Sequence, residues 1–261
     1  MKILVTGANG NLGKLLATKL QQSTHEIFEA SSTPLNTQRL LNLKKSFSRN
    51  LLVDIELVVH CARGKNARDL EQDKNFIRMC RDRRIGVVYI GSLSSWLDTS
   101  NNYGKYKKEV EDFVILNDGT VVTCGLIYGD GYMGQIYVLN KFLKFIPFYL
   151  DLPETKDTFL TPVDALFREI MSQIENRQVG KRILLVHRNV IEFNRLIHLL
   201  ARRKYFTVKL KKKIVFAVVD LFGSKIQYFN SDSLNTIYSN YKPGFKAQFI
   251  DKSVNCGDIL L

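Results

Sequence analysis

Cysteine, proline and acidic residues are scarce in this 261-residue chain, and no apolar run is long. Its four cysteines, Cys61, Cys80, Cys124 and Cys256, have no paired spacing. There is no C-x-x-C and no Cys/His cluster, which excludes a disulfide scaffold and a zinc site and leaves free thiols in a reducing, cytoplasmic setting. Cys61 and Cys124 lie in apolar, strand-like runs, where cysteine serves as a small buried hydrophobe. Five prolines and sixteen glycines are too few for a collagen-like or low-complexity chain. The opening MKILVTGANG meets Thr6 and Gly7 after only a few apolar residues, too short for a signal-peptide core or an integral membrane segment.

The shortage of acids has its own consequence. Thirty-eight Lys and Arg stand against 25 Asp and Glu, for a formal charge of +13. Such a field draws anions: nucleic acid, an acidic membrane face or phosphorylated small molecules. No aromatic-basic module of a nucleic-acid-binding type is present, so no nucleic-acid partner is expected. The charge is clustered at 78–84, 105–108, 181–183 and 202–213. The last run precedes the apolar stretch IVFAVVDLFG. It fits a buried helix with a basic flank, or a peripheral contact with an acidic membrane surface.

What is there is an alternation. Apolar runs at Lys2–Thr6, Glu26–Ala30, Glu56–Ala62, Val87–Gly91 and Thr120–Gly125 read as strands. Helical spacing predicts helices at Asn11–Gln21, Asn36–Ser46, Asp69–Arg84 and Tyr103–Leu116. The second of these, with Leu40, Leu41 and Leu43 inward, occupies a place where a strand is missing or vestigial. After Gly129 the pattern loosens. Helices are expected at Met133–Phe145, Pro162–Asn176, Ile191–Arg203 and Lys211–Phe222, and strands near Phe159–Thr161 and Arg182–His187. The fold class is α/β: a Rossmann-like, doubly wound parallel sheet with a smaller C-terminal α/β substrate lobe. Residues 1–130 form the dinucleotide-binding domain, with a later strand returning near 159–163 or 182–187. Residues 131–261 form the smaller lobe.

Two motifs carry chemistry. VTGANGNLGKLL follows the first strand and opens the first helix, the context a dinucleotide-binding glycine turn requires. Gly7 takes the tight turn, Gly10 lets backbone approach a pyrophosphate, and Gly13 lets helix and strand pack closely. The turn from Gly7 through Asn9, Gly10, Asn11, Leu12 and Gly13 to Lys14 is the expected cradle, with the helix N-terminus facing the anion. At the end of the second strand, NAD sites place a carboxylate for the ribose hydroxyls. Here Ser31 and Ser32 stand there and Glu29 falls two residues early, which favours NADP, with Lys14 placed for a 2′-phosphate. NAD returns if the strand ends at Glu29. In the second motif, YGKYK, Tyr103 and Lys107 share one helix face. An ammonium beside a phenol favours the phenolate, so the pair can exchange a proton with a carbonyl or alcohol.

These residues, with HCA (60–62), YIGS (89–92), GLIYG (125–129) and FLTPVDAL (159–166), resemble the short-chain dehydrogenase/reductase superfamily in its extended, nucleotide-sugar-modifying branch. The resemblance covers about the first 165 residues, in the expected order. It implies Tyr103 as acid/base and Lys107 on the nicotinamide ribose. Cys61 and Ala62 would line the cofactor, with Leu126 and Tyr128 near the carboxamide. The hydroxyl that meets the substrate oxygen falls by simple alignment at Leu93, so Ser92 or Ser94 takes its place. The loop before Tyr103 is short, and Thr123 and Leu126 replace an arginine and an asparagine common in the family. The function implied is an NADP-dependent reductase of a 4-keto nucleotide-diphosphate sugar in bacterial-type polysaccharide biosynthesis. Lys141, Lys144, Arg182 and Arg188 are candidates for the diphosphate. The alternatives are an NAD-dependent 4-epimerase and a non-catalytic, NAD(P)-binding regulatory or scaffold protein. A homodimer through two helices beside the sheet is usual for such proteins.

Overall fold

The computed structural model describes residues 1–35, 38–43, 48–64, 66–97, 102–129, 134–145, 147–152, 154–201, 206–214, 237–243 and 250–252. The first half runs β1 (Lys2–Thr6), α1 (Asn11–Leu20), β2 (Glu26–Ser31), β3 (Arg39–Leu40), β4 (Leu57–His60), α2 (Ala67–Asp82), β5 (Gly86–Ser92), α3 (Asn102–Leu116) and β6 (Thr120–Cys124). The second half adds β7 (Leu126–Tyr128), α4 (Gln135–Phe145), β8 (Tyr149–Asp151), β9 (Asp157–Thr158), β10 (Leu160–Pro162) and α5 (Val163–Glu175). It continues with β11 (Arg182–Leu185), β12 (Ile191–Glu192), α6 (Phe193–Leu200), β13 (Thr207–Lys209) and β14 (Ile250–Asp251).

Eight strands form one parallel sheet in the order β14-β11-β6-β5-β4-β1-β2-β3. The chain starts in the middle, winds outward through β2 and β3, then crosses to β4 and winds the other way. The winding reverses between β1 and β4, where Thr6 is level with His60. Ligands of open parallel sheets bind at such a switch point, beyond the strands' carboxyl ends.

Alternation along the strands builds two cores. Leu4, Val58, Val87 and Tyr89 face α2 and α3. Ile3, Val5, Val59, Val88 and Ile90 face the other way, where Leu16 and Leu20 of α1 and Leu166 and Ile170 of α5 cover them. Each such side chain contributes about 1.5–3 kcal/mol by leaving water. A third core, with Leu143 of α4, Leu160 of β10 and Leu196 of α6, belongs to the second half. There the ladders are two-stranded: β7 with β10, β8 with β13 and β9 with β12.

One expected element is different. Instead of a helix over 36–46, the described residues hold the two-residue strand β3, level with Ala30 and Ser31 of β2. Leu41 and Leu43 are buried while Leu40 is 54% exposed. Those inward leucines are two apart, the period of extended chain, and three leucines in four positions fit either period. Only a short turn at 212–214 of the helix expected over 211–222 lies within the described residues. Among the described residues no helix is long and apolar enough to cross a membrane.

Candidate active site

The glycine turn joins β1 to α1 at the switch point. Gly7 has φ +68°, and a Cβ there would lie 2.9 Å from the Ala62 nitrogen. A Cβ on Gly13 would lie 2.3 Å from the Gly7 carbonyl oxygen. Any side chain at either position would push the turn off the loop after β4 or off its own helix. Gly10 is the N-cap of α1 and offers no side-chain acceptor to the helix. Asn9 and Lys14 are exposed, with Asn11 and Leu12 partly buried. Asn9 Nδ2 donates to the Thr33 carbonyl at 2.5 Å, tying the turn to the chain beyond β2. These features fit a dinucleotide pyrophosphate.

Strand β2 continues past Glu29 to Ser31. Ser31 is buried and its hydroxyl accepts from Thr33 N, while Ser32 is exposed. Glu29 is engaged elsewhere, accepting from Gln21 at 3.0 Å and Gln38 at 2.6 Å.

The loop after β4 is fixed by a buried polar chain. Thr6 Oγ1 accepts the N–H groups of Cys61 and Ala62, both at 3.1 Å. Its own proton then points to His60 Nδ1, 2.6 Å away. That assigns His60 the Nε2–H tautomer, which donates to Asp73 of α2 at 2.8 Å. The other Asp73 oxygen accepts the Tyr106 hydroxyl at 2.6 Å, and that hydroxyl accepts Gly64 N–H at 3.0 Å. Burial first, and Asp73 second, raise the Tyr106 pKa, so its proton stays in place to donate. Every donor in the chain has an acceptor.

Helix α3 begins beside this loop. Tyr103 is partly buried, and the Arg63 guanidinium lies over its ring, 4.7 Å from the centroid. Lys107, one turn on, is buried; its Nζ donates to the Ile90 carbonyl at 2.8 Å and sits 4.3 Å from the Tyr89 ring centroid. Its charge reaches two thiols. Burial pushes Cys61 and Cys124 up to about 12, with Lys107 opposing the rise in both. One turn further, Glu111 is fully buried and accepts from Ser92 N at 3.0 Å, Ser95 Oγ at 2.9 Å and Trp96 Nε1 at 3.2 Å. Burial raises the Glu111 pKa, against these hydrogen bonds and Lys107.

The turn after β5 is therefore clamped from below. Ser92 caps its single 3₁₀ turn, accepting from Ser94 N at 3.3 Å; both serines are partly buried. Leu93 packs with Phe159, Leu184 and Val186. The structure thus brings Gly7, Cys61, Ala62, Tyr103 and Lys107 to one end of the sheet. Leu126 and Tyr128 sit on the β7–β10 ladder, packed against the third core. Lys141, Lys144 and Arg188 are exposed, whereas Arg182, the first residue of β11, is ion-paired with Asp112. A cleft of about 420 Å³ opens in the second half between Thr155, Asp157, Glu192 and Tyr241. Tyr241, on its lining, packs edge-on against Phe159 at 5.2 Å.

Sequence reasoning missed Arg63, the His60–Asp73–Tyr106 chain and Glu111. Glu111 left one signal: Tyr103, Lys107 and Glu111 recur every four residues on a single helix, and Glu111 stands between Val110 and Val114 on the covered side. The other chain left none, since its members come from three segments.

No protein-family model matches the chain. The spore coat polysaccharide biosynthesis protein SpsK of Bacillus subtilis is 24% identical over 192 residues, which cover 63% of this chain and 63% of that protein's length. A dTDP-4-dehydrorhamnose reductase from Clostridium acetobutylicum superposes with a TM-score of 0.65 at 16% identity, over 91% of this chain and 98% of its own. The chain carries the fold of the extended short-chain dehydrogenase/reductases. The same fold is seen in MoeE5 in complex with UDP-glucuronic acid and NAD, with TM-score 0.62, 16% identity, and 95% and 97% of the two chains covered.

Proposed function

We propose that the chain reduces the 4-keto group of a nucleotide-diphosphate sugar, with NADP as cofactor, in polysaccharide biosynthesis in the cytoplasm. One observation carries the reading: the loop from Cys61 to Gly64 bridges the glycine turn and the phenol. Ala62 backbone touches Gly7 on one side, and Arg63 covers Tyr103 on the other. A dinucleotide on the turn would reach toward Tyr103 along that loop.

The cofactor supplies the hydride. Gly7, Asn9, Gly10, Asn11, Leu12, Gly13 and Lys14 hold its phosphates through backbone N–H groups and the helix N-terminus. Ser31 and Ser32 at the end of β2 take the adenosine ribose. No carboxylate stands at that place, because Glu29 is bound by Gln21 and Gln38, and this supports NADP. Cys61 and Ala62 face the nicotinamide half, with Lys107 on its ribose and Leu126 and Tyr128 near the carboxamide. Tyr103 delivers the proton to the carbonyl oxygen, and Ser92 or Ser94 orients that oxygen. Residues 131–261 serve as the substrate lobe, and two chains pair through two helices beside the sheet.

The test is NADPH oxidation with a panel of 4-keto nucleotide sugars. Tyr103→Phe should lower kcat by about 10²–10⁴-fold with NADPH binding retained. An inactive parent, or an unaffected variant, ends the reading. A 4-epimerase is the second reading, favoured by the NAD in MoeE5. Native mass spectrometry separates the two: an epimerase keeps NAD through purification.

A further inference from the structure

We propose that Arg63 recognises a carboxylate carried by the sugar itself, beside the carbon that reacts, so that the substrate is a nucleotide-linked uronic acid. The inference rests on the nucleotide-sugar reading above and narrows its substrate class.

Arg63 is exposed, and among the described residues its guanidinium meets the Tyr103 ring and no carboxylate. Lys107, the other cation near that phenol, is buried and held by the Ile90 carbonyl. Arg63 is thus a solvent-facing positive charge in contact with the proposed acid/base. The contact with the ring is made by the guanidinium carbon, 4.7 Å from the centroid. The side chain is exposed, and the N–H edge of a guanidinium matches the two oxygens of a carboxylate.

An arginine on a mobile loop would be a poor reader of position, but this one is fixed on both sides. Ala62 N–H is held by Thr6, and Gly64 N–H by Tyr106. Gly64 has no room for a side chain: a Cβ would fall 2.2 Å from the Asp69 Cβ and 2.5 Å from the Tyr106 hydroxyl. The glycine lets the backbone settle onto that hydroxyl, and the buried chain behind it leads to His60 and Thr6. Five hydrogen bonds with matched donors and acceptors therefore set where the guanidinium lies.

Place decides what is read. The cofactor phosphates belong to the N-terminus of α1, around Gly10 and Gly13. Arg63 belongs to the other end, over Tyr103. In a hexose the C6 group is carried by C5, the neighbour of C4. With the C4 oxygen at the Tyr103 hydroxyl, a C6 carboxylate comes within the span of the Arg63 side chain. The nucleotide diphosphate, attached at C1 on the far side of the ring, does not.

The test compares sugars that differ only at C6. Calorimetry on the full chain, saturated with NAD or NADP, measures glucuronate and glucose linked to uridine or thymidine diphosphate. The parent should prefer the glucuronate form by about tenfold or more, the scale of one charge-assisted hydrogen bond. Arg63→Met should bring both sugars to the glucose level, and Arg63→Lys should keep part of the preference. NADH affinity, followed by fluorescence, should be equal in all three proteins. Equal binding of the two sugars by the parent overturns the inference alone. So does a loss of NADH affinity in Arg63→Met, which would assign the arginine to a cofactor phosphate. If NADH binds but neither sugar does, the nucleotide-sugar reading falls and takes the inference with it.

Discussion

Asp73 and Glu111 are both buried carboxyl groups, and the protein satisfies them in different ways. Asp73 reaches in from α2 and accepts two side-chain donors, the His60 ring and the Tyr106 hydroxyl. Glu111 belongs to α3 itself and accepts a backbone N–H, a serine hydroxyl and an indole N–H, all from the turn after β5. The first carboxyl ties the glycine turn to the loop that carries Arg63. The second ties the Ser92–Trp96 turn to the helix that carries Tyr103. The same residue chemistry thus fixes one wall of the site through side chains from distant segments and the other through one backbone and two side-chain donors of a single turn. The first arrangement is sensitive to which proton sits where. The second is sensitive to burial, which pushes the Glu111 carboxyl upward.

The largest effect should come from emptying the second arrangement. Glu111→Ala removes the carboxylate that accepts from Ser92 N–H and the Trp96 indole, and leaves the Ser95 hydroxyl to the Ser92 carbonyl, 2.6 Å away. That should lower stability by about 3–5 kcal/mol in urea unfolding. A change below 1 kcal/mol, on the scale of an ordinary surface substitution, would mean that water reaches the turn.

Asp73→Asn should be milder, at about 2 kcal/mol. An amide sets an N–H against either the His60 ring or the Tyr106 hydroxyl, so one partner must let go. Nitrogen NMR of the four histidines makes the difference visible. The parent His60 should show the Nε2–H tautomer, and finding Nδ1–H there would break the proton count from Thr6 to Gly64.

The smallest effect is in pH. The folded protein holds the Glu111 proton above the ordinary glutamate value of 4.5. Its contribution is fully present below that value and is lost as pH rises through the raised one. The parent should therefore lose stability relative to Glu111→Gln as pH climbs above 4.5, read as the difference between their urea midpoints. A difference that stays flat or grows in the parent's favour contradicts the sign.

The central strands were legible because each is a short, buried, apolar run closed by a turn signal, and neighbours in sequence carry that information. The glycine turn was legible for the same reason. Positive φ and a missing Cβ are local demands, and Gly7 meets them at the end of β1. The segment holding Leu40, Leu41 and Leu43 was misread because its leucines fit two periods, and only the edge of β2 decided between them. Leu93 stands where the resemblance places a hydroxyl, yet the structure puts it among Phe159, Leu184 and Val186, residues that no local pattern links to it. Arg63 looked like one more positive charge in a basic chain until Tyr103 was found beneath it.

By itself, the order of residues determined the parallel sheet, the turn that opens α1, and the placing of Tyr103 and Lys107 on one helical face. Steric limits and hydrophobic period act over a few positions, so they can be read there. The tertiary structure alone decided which buried groups share a proton and which cation covers the phenol. Thr6 and His60 are 54 positions apart, and Tyr106 and Asp73 are 33 apart. Hydrogen bonds inside a core depend on donors and acceptors meeting within about 3 Å, a distance that the folded chain creates between segments.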